Sequence, residues 1–252
     1  LYLRQDSIIF PHWRLNEVPE EQVLARNPQH IALQRPDGIT LRGLQFGATD
    51  EDAPLVLLFG GNAHNVMGFA EFVDREITEG SAVVVSINYR GYGDFGIKSD
   101  GSPSQDAILA DALAEYDEFT QRYPNRPVHV IGYSLGSSVA TYVASQRHAD
   151  TLILVTPFTS MVDIGKQKYG FIPVQKLLKH PFPTLDWLHH VTAPTTLIFA
   201  ENDEVIPHSM REPLIHGAPN LRSSTLLANE THGDILHNKK IPALFKAGMR
   251  LE

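Results

Sequence analysis

The chain has 252 residues, 42% of them hydrophobic, 20% charged and 9% aromatic, the balance of an ordinary globular protein rather than a disordered or repetitive one. A formal net charge of −8 argues against a nucleic-acid partner, because neutralising phosphates takes a clustered excess of Lys and Arg. Cysteine is absent, which removes disulfides, thiolate metal sites and cysteine nucleophiles together, and no run of 18 apolar residues is available to span a bilayer.

In chain order, HIALQRPDGITLRGLQF (30–46) comes first. Its two β-rich runs are split by Pro36-Asp37-Gly38, a turn signal that predicts an antiparallel hairpin at the start of a sheet. PLVLLFGG (54–61), SAVVVSINYRGYG (81–93), VHVIGYSLG (128–136), TLILVTPF (151–158), TTLIFAEND (195–203) and RSSTLLANE (222–230) follow as further strands. The central ones are continuously apolar rather than alternating, as expected where helices cover both faces of a parallel sheet. Between them, Met67, Phe69, Ala70, Phe72, Val73 and Ile77 share a helical face within Asn65–Glu79. Ile108, Leu109, Ala112, Leu113, Tyr116 and Phe119 do the same within Ser104–Tyr123. Strands alternating with helices predict one α/β domain over 1–252, with a mainly parallel central sheet, flanking helices and antiparallel N-terminal strands.

Residues 157–191 break this rhythm. Phe158, Met161, Tyr169, Phe171, Phe182 and Trp187 stand among prolines and lysines, with weak helical period only around Val174 to Leu178. Lying between two strands, the segment reads as a short cap insertion across the carboxyl edge of the sheet, where ligands bind in such folds. The alternative is a surface excursion whose aromatics pack on the body.

The stretch VHVIGYSLGSSVA (128–140) carries the chemistry. An apolar strand runs into Gly132-Tyr133-Ser134-Leu135-Gly136, and a helical rhythm of small residues follows. A G-x-S-x-G sequence in that setting predicts a sharp strand-to-helix turn, with glycines on either side so that strand and helix can approach and Ser134 at the apex. A serine hydroxyl needs a base to take its proton and an acid to orient the base. Asp203 follows one apolar strand and His232 follows the last, in the order Ser, acid, His, so all three candidates fall at one edge of the sheet. Glu201 is a rival acid that sits closer to the strand and is expected to point away. Asp234 follows the histidine too closely to orient it. For an oxyanion, the N–H of Leu135 and that of Asn62, after the permissive Gly60-Gly61, are the candidate donors. No phosphate cradle is present, since neither a Lys-Ser/Thr nor G-x-G-x-x-G follows the first strand. The 12 histidines show no H-x-x-x-H or H-E-x-x-H spacing, so neither a metal nor a cofactor is expected. Arg90 is expected to form a structural ion pair rather than to clamp substrate.

FGGNAHN, INYRGYGDFG, GSPSQDAILADALAEYDEF, VIGYSLGSSVAT, ENDEVIP and THGDI together resemble the α/β-hydrolase-domain serine hydrolases that include protein depalmitoylases and lysophospholipid lipases. The resemblance runs from about Phe10 to His237. It implies an α/β-hydrolase fold with Ser134 as nucleophile, Asp203 as acid, His232 as base, and Asn62 and Leu135 as oxyanion donors. Relatives commonly carry His-Gly-Asn where this chain has Gly60-Gly61-Asn62, and glycine where His64 stands, so the loop here is expected to differ in shape. Members often carry a membrane-anchoring segment upstream, which implies a tethered protein with a soluble catalytic domain.

The expected activity is hydrolysis of carboxylic esters or thioesters through an acyl-enzyme. Phe158, Met161, Phe171 and Trp187 are expected to line an apolar acyl site, and the substrate to be a small molecule, a lipid or an acylated protein. Two rivals stand beside it. One is an aminopeptidase-type serine peptidase, for which Glu201, Glu204 or Asp94 would anchor a substrate amine. The other is a non-catalytic protein that keeps the scaffold.

Overall fold

A computed structural model describes residues 5–11, 28–48, 50–62, 66–93, 97–168, 170 and 173–251. These form an eight-stranded sheet in the order β1-β2-β4-β3-β5-β6-β7-β8. Strands β1 (Gln29–Gln34) and β2 (Thr40–Gly47) make the expected hairpin, pairing antiparallel from Gln29–Gln45 to Gln34–Thr40. Gly38 takes a positive φ of 83° at its turn. β2 pairs antiparallel with β4 (Val83–Ile87), and the remaining pairings, through β3 (Leu55–Phe59), β5 (Val128–Tyr133), β6 (Thr151–Val155), β7 (Thr195–Asn202) and β8 (Leu221–Thr231), are parallel. This is the α/β-hydrolase arrangement expected from the sequence.

The unbroken apolar runs have the predicted cause. In β3, Leu55, Leu57 and Phe59 join one buried cluster while Val56 and Leu58 join another on the opposite face. β4 divides in the same way, with Val83, Val85 and Ile87 on one side and Val84 on the other. Each such side chain contributes roughly 1.5–3 kcal/mol when fully buried, so both faces of the sheet need cover.

The cover comes from helices. Helix α1 (Gln5–Ile9) precedes the sheet. The helix expected over Asn65–Glu79 is α2 (Val66–Phe72), which changes to a π-helical stretch at Val73–Thr78 and ends with Glu79 in the left-handed region at φ 52°. Helix α3 (Gln105–Arg122) fills the other predicted helix, its first turn capped by the Ser104 side chain accepting from Ala107 N. Helix α4 (Leu135–Gln146) follows β5. Between β6 and β7 lie three short helices, α5 (Met161–Lys168), α6 (Val174–Leu177) and α7 (Thr184–Leu188), of which only α6 showed a helical period in the sequence. Helices α8 (Arg211–Gly217) and α9 (Ile241–Met249) complete the layers. α9 buries Ile241, Phe245 and Met249 at four-residue spacing. No helix of the described residues is long and apolar enough to cross a membrane.

Arg90 is the ion-pair former expected. Its Nε and Nη2 donate to the two oxygens of Asp111 on α3, its Nη1 donates to Asp37 in the hairpin turn, and Arg35 donates to Asp111 as well. The network ties the hairpin to α3 through one buried carboxylate.

His129 sits inside β5 with its Nδ1 2.8 Å from Thr151 Oγ1. Burial pushes its imidazole from 6.5 down to about 4. The shift is a depression of a basic group, so between pH 6.5 and about 4 the unfolded chain binds a proton that the folded chain does not. Stability is therefore full above the upper value and lost as pH falls through the window, by about 3 kcal/mol. Thermal melts across that window are expected to show a steeper acid loss for the native chain than for His129→Gln; equal slopes would count against this assignment.

Candidate active site

The strand order turns outward on either side of β3: β4 lies to one side and β5 to the other. Ligand crevices of open α/β sheets form where the order reverses in this way, at the carboxyl ends of the strands. The loop after β3 and the turn after β5 both emerge there.

The turn after β5 is the sharp one that Gly132 and Gly136 predict. Ser134 adopts φ 52° and ψ −118°, a conformation costly for a residue with a side chain, by about 1–3 kcal/mol. It is held there by Ser134 N donating to Val155 O at 2.9 Å and by Ser134 O accepting from Ser137 N and Oγ at 2.8 and 2.6 Å. The flanking glycines are required by contact. A Cβ on Gly132 would lie 2.3 Å from Gly136 O, and one on Gly136 would lie 1.9 Å from Phe59 O. Strand β5, helix α4 and the end of β3 thus touch backbone to backbone.

Asp203 follows β7 and His232 follows β8, and the structure brings both to Ser134. His232 Nε2 lies 2.8 Å from Ser134 Oγ, while His232 Nδ1 lies 2.9 and 3.0 Å from the two oxygens of Asp203. A carboxylate only accepts, so Nδ1 carries the proton and the Nε2 lone pair faces the serine hydroxyl. Asp203 is itself fixed, its Oδ1 accepting from Val205 N and Ile206 N at 2.9 and 2.7 Å. The rival acids are engaged elsewhere: Glu201 accepts from Asn229 N at 2.8 Å and Asp234 from Thr231 Oγ1 at 2.7 Å. Two contacts on His232 were not anticipated. Glu204 accepts from its backbone N–H at 3.1 Å, and Tyr133 donates its hydroxyl to its carbonyl at 2.7 Å.

The loop after β3 packs against the turn. A Cβ on Gly61 would meet the Tyr133 ring at 2.9 Å and Ser134 Cβ at 3.3 Å, so a glycine is needed for this approach. The Asn62 side chain is spoken for at both ends, its Nδ2 donating to Ile9 O and its Oδ1 accepting from Tyr92 Oη. Among the described residues no acceptor takes the backbone N–H of Asn62 or of Leu135. His64, where the resemblance implies a differently shaped loop, lies outside the described residues, as does Asp94.

The four insertion residues are spread out. Phe158 is buried in the core, Met161 is half-buried at the start of α5, and Trp187 packs edge-on against Tyr142 of α4 at 4.9 Å. Phe171 lies outside the described residues. A cavity of about 220 Å³ borders Asp203 between Thr156, Phe199, Ile206, Arg211 and Leu226, and neither Ser134 nor His232 lines it.

Residues 50–187 match the family described as serine aminopeptidase, S33. The chain belongs to this family, within the α/β-hydrolases. It is 29% identical over 220 residues to an uncharacterized protein of Mycobacterium tuberculosis, covering 86% of this chain and 76% of that one. It is 31% identical over 154 residues to the lysophosphatidylserine lipase ABHD12 of Danio rerio, a match spanning 52% of this chain and 38% of the relative. Among solved structures, the Pyrococcus furiosus esterase Pf2001 superposes with a TM-score of 0.69 at 18% identity, over 93% of this chain and 94% of the esterase.

In this S33-family hydrolase, Gly136→Ala is expected to destabilise the fold by about 3 kcal/mol, because the Phe59 carbonyl it would strike is backbone and cannot rotate away. Urea denaturation measures it; a loss below about 0.5 kcal/mol would show that the strand and helix separate freely.

Proposed function

We propose that the chain is a serine hydrolase that cleaves carboxylic ester or thioester bonds through an acyl-enzyme. The hydrogen-bonded line from Ser134 Oγ to His232 Nε2 and from His232 Nδ1 to Asp203 carries this reading. Ser134 attacks the carbonyl carbon as His232 takes its proton. The oxyanion that forms is stabilised by the N–H groups of Asn62 and Leu135, the latter at the positive end of α4. The tetrahedral intermediate collapses with His232 returning the proton to the leaving oxygen or sulfur, and water repeats the sequence to release the acid. Asp203 keeps the imidazole in the required tautomer and balances its charge when it becomes imidazolium.

The relative named lysophosphatidylserine lipase supports an ester over an amide, beside a family described as serine aminopeptidase. The same relative supports an apolar acyl group, carried on a lipid, an acylated protein or a small molecule. Of the residues expected to receive it, Met161 and Trp187 keep partial exposure, while Phe158 is buried in the core and Phe171 lies outside the described residues. Membrane tethering, implied by the resemblance, is part of this reading. The peptidase alternative needs a free carboxylate for a substrate amine. Glu201 accepts from Asn229 N in β8 and Glu204 from His232 N, which disfavours these two as anchors, while Asp94 lies outside the described residues.

Ser134→Ala is expected to abolish labelling by a fluorophosphonate probe and to lower ester turnover by about 10⁴-fold or more, with the circular dichroism spectrum unchanged. Retained labelling would reject Ser134. Across p-nitrophenyl esters, kcat/KM is expected to rise with acyl length from acetate, and aminoacyl-naphthylamides to be poor substrates. An optimum at acetate would remove the apolar acyl assignment, and preferred amide cleavage would favour the peptidase.

A further inference from the structure

His232 stands on a loop beyond β8, which among the described residues is an edge strand that pairs only with β7 and slips register near its end, between Ala200 and Asn202 of its partner. Such a loop is a poor platform for a base that must hold its Nε2 within hydrogen-bonding distance of Ser134. Misplacement by about 1 Å costs on the order of 10²-fold in rate. The restraint has to come from outside the strand.

We infer that Tyr133 and Glu204 are positioning residues that hold the His232 peptide from both sides, Tyr133 through the carbonyl and Glu204 through the N–H. The inference rests on the proposed role of His232 as base. The two contacts are arranged with a particular economy of sequence. Tyr133 immediately precedes Ser134, and Glu204 immediately follows Asp203, so the backbone of the base is fastened to the neighbour of each of its two partners. A shift of either partner carries the fastening with it.

The surroundings of Tyr133 fit a fixed strut. Its ring lies tilted against the His232 imidazole at 5.6 Å, meets Phe69 edge-on at 6.5 Å, and is backed by Gly61, where a Cβ would strike it. Its hydroxyl lies 2.7 Å from the carbonyl it serves, so it is committed to His232 rather than to a reacting group. Burial, and then the nearby Asp203, Glu204 and Asp234 carboxylates, push the hydroxyl well above its ordinary range, which keeps it a donor at every working pH. Glu204 differs: it is exposed, and its bond to the N–H is charge-assisted. One strut is buried and the other is exposed and charge-assisted, so the peptide keeps one anchor when salt screens the other.

Tyr133→Phe removes only the hydroxyl, Glu204→Ala removes the acceptor, and Glu204→Gln keeps an acceptor without the charge. Each single loss is expected to lower kcat about tenfold with KM unchanged within about twofold, and the double variant to lower it about 100-fold. Glu204→Gln is expected to recover most of the loss seen in Glu204→Ala. The proton NMR signal of the His232 Nδ1–H, far downfield when bonded to Asp203, is expected to broaden or disappear in the Tyr133→Phe/Glu204→Ala variant, and thermal melts identify any variant that is merely unfolded. A folded double variant with native kcat and a native Nδ1–H signal overturns the inference. The NMR readout needs no turnover. If the native chain neither hydrolyses esters nor labels at Ser134, the hydrolase reading falls, while the same signal still decides whether the two residues hold the imidazole.

Discussion

A backbone contact without any Cβ between its partners organises this protein. Gly136 lies on the Phe59 carbonyl, and Gly132 lies on Gly136, so a strand, the helix that follows it and a neighbouring strand meet closer than any side chain allows. The chain cannot turn from β5 into α4 within that space in an ordinary conformation, and the residue at the corner is forced to positive φ. That residue is Ser134. Its strained backbone is the geometric consequence of the packing, and its hydroxyl is presented at the strand's carboxyl edge for the same reason. The contact also aligns the loop beyond Phe59 with the corner, which is why Gly61 abuts Ser134 Cβ and Tyr133. Two features that look separate in the sequence, a G-x-S-x-G and a Gly-Gly, are two sides of one junction.

The charges around the junction follow from burial. Asp203 is almost wholly enclosed, and an enclosed carboxylate must be neutralised or hydrogen-bonded. No Lys or Arg pairs with it among the described residues; two backbone N–H groups and the imidazole do the work instead. This arrangement leaves the carboxylate's charge directed at His232, where an arginine partner would have cancelled much of it. It suits the role proposed for Asp203, to stabilise an imidazolium for a short time.

The strands and the three site side chains were legible because short-range rules govern them. Runs such as LVLLF are apolar throughout since alternate residues face two different cores, and the order of Ser134, Asp203 and His232 at strand ends is a property of the chain itself. Other features were hidden by distance. Nothing local marks the switch of α2 to a π-helical stretch, or the burial of Phe158 and the packing of Trp187 on Tyr142. Tyr133 and Glu204 reach His232 across separations of 99 and 28 residues, and only the fold shows where their polar atoms end. Their adjacency to Ser134 and Asp203 was the available signal.

Helix α1 shows how far the junction's influence extends. Ile9 carbonyl accepts from Asn62, fixing the loop that offers a candidate oxyanion donor. One helical turn earlier, Gln5 bonds to Leu177 O and Lys179 N in the insertion, and Asp6 accepts from His180. His180 Nδ1 in turn accepts from Gln105 N at the start of α3, so the imidazole is a bridge with both nitrogens used. Phe10 closes the group by packing on His180 and Phe182. The short helix therefore fastens the β3 loop to the insertion across the carboxyl edge of the sheet. Because Asn62 is held by its side chain at both ends, its backbone N–H is oriented by contacts that begin outside the sheet. The geometry above Ser134 is set jointly by the glycine junction beneath it and by this strap beside it.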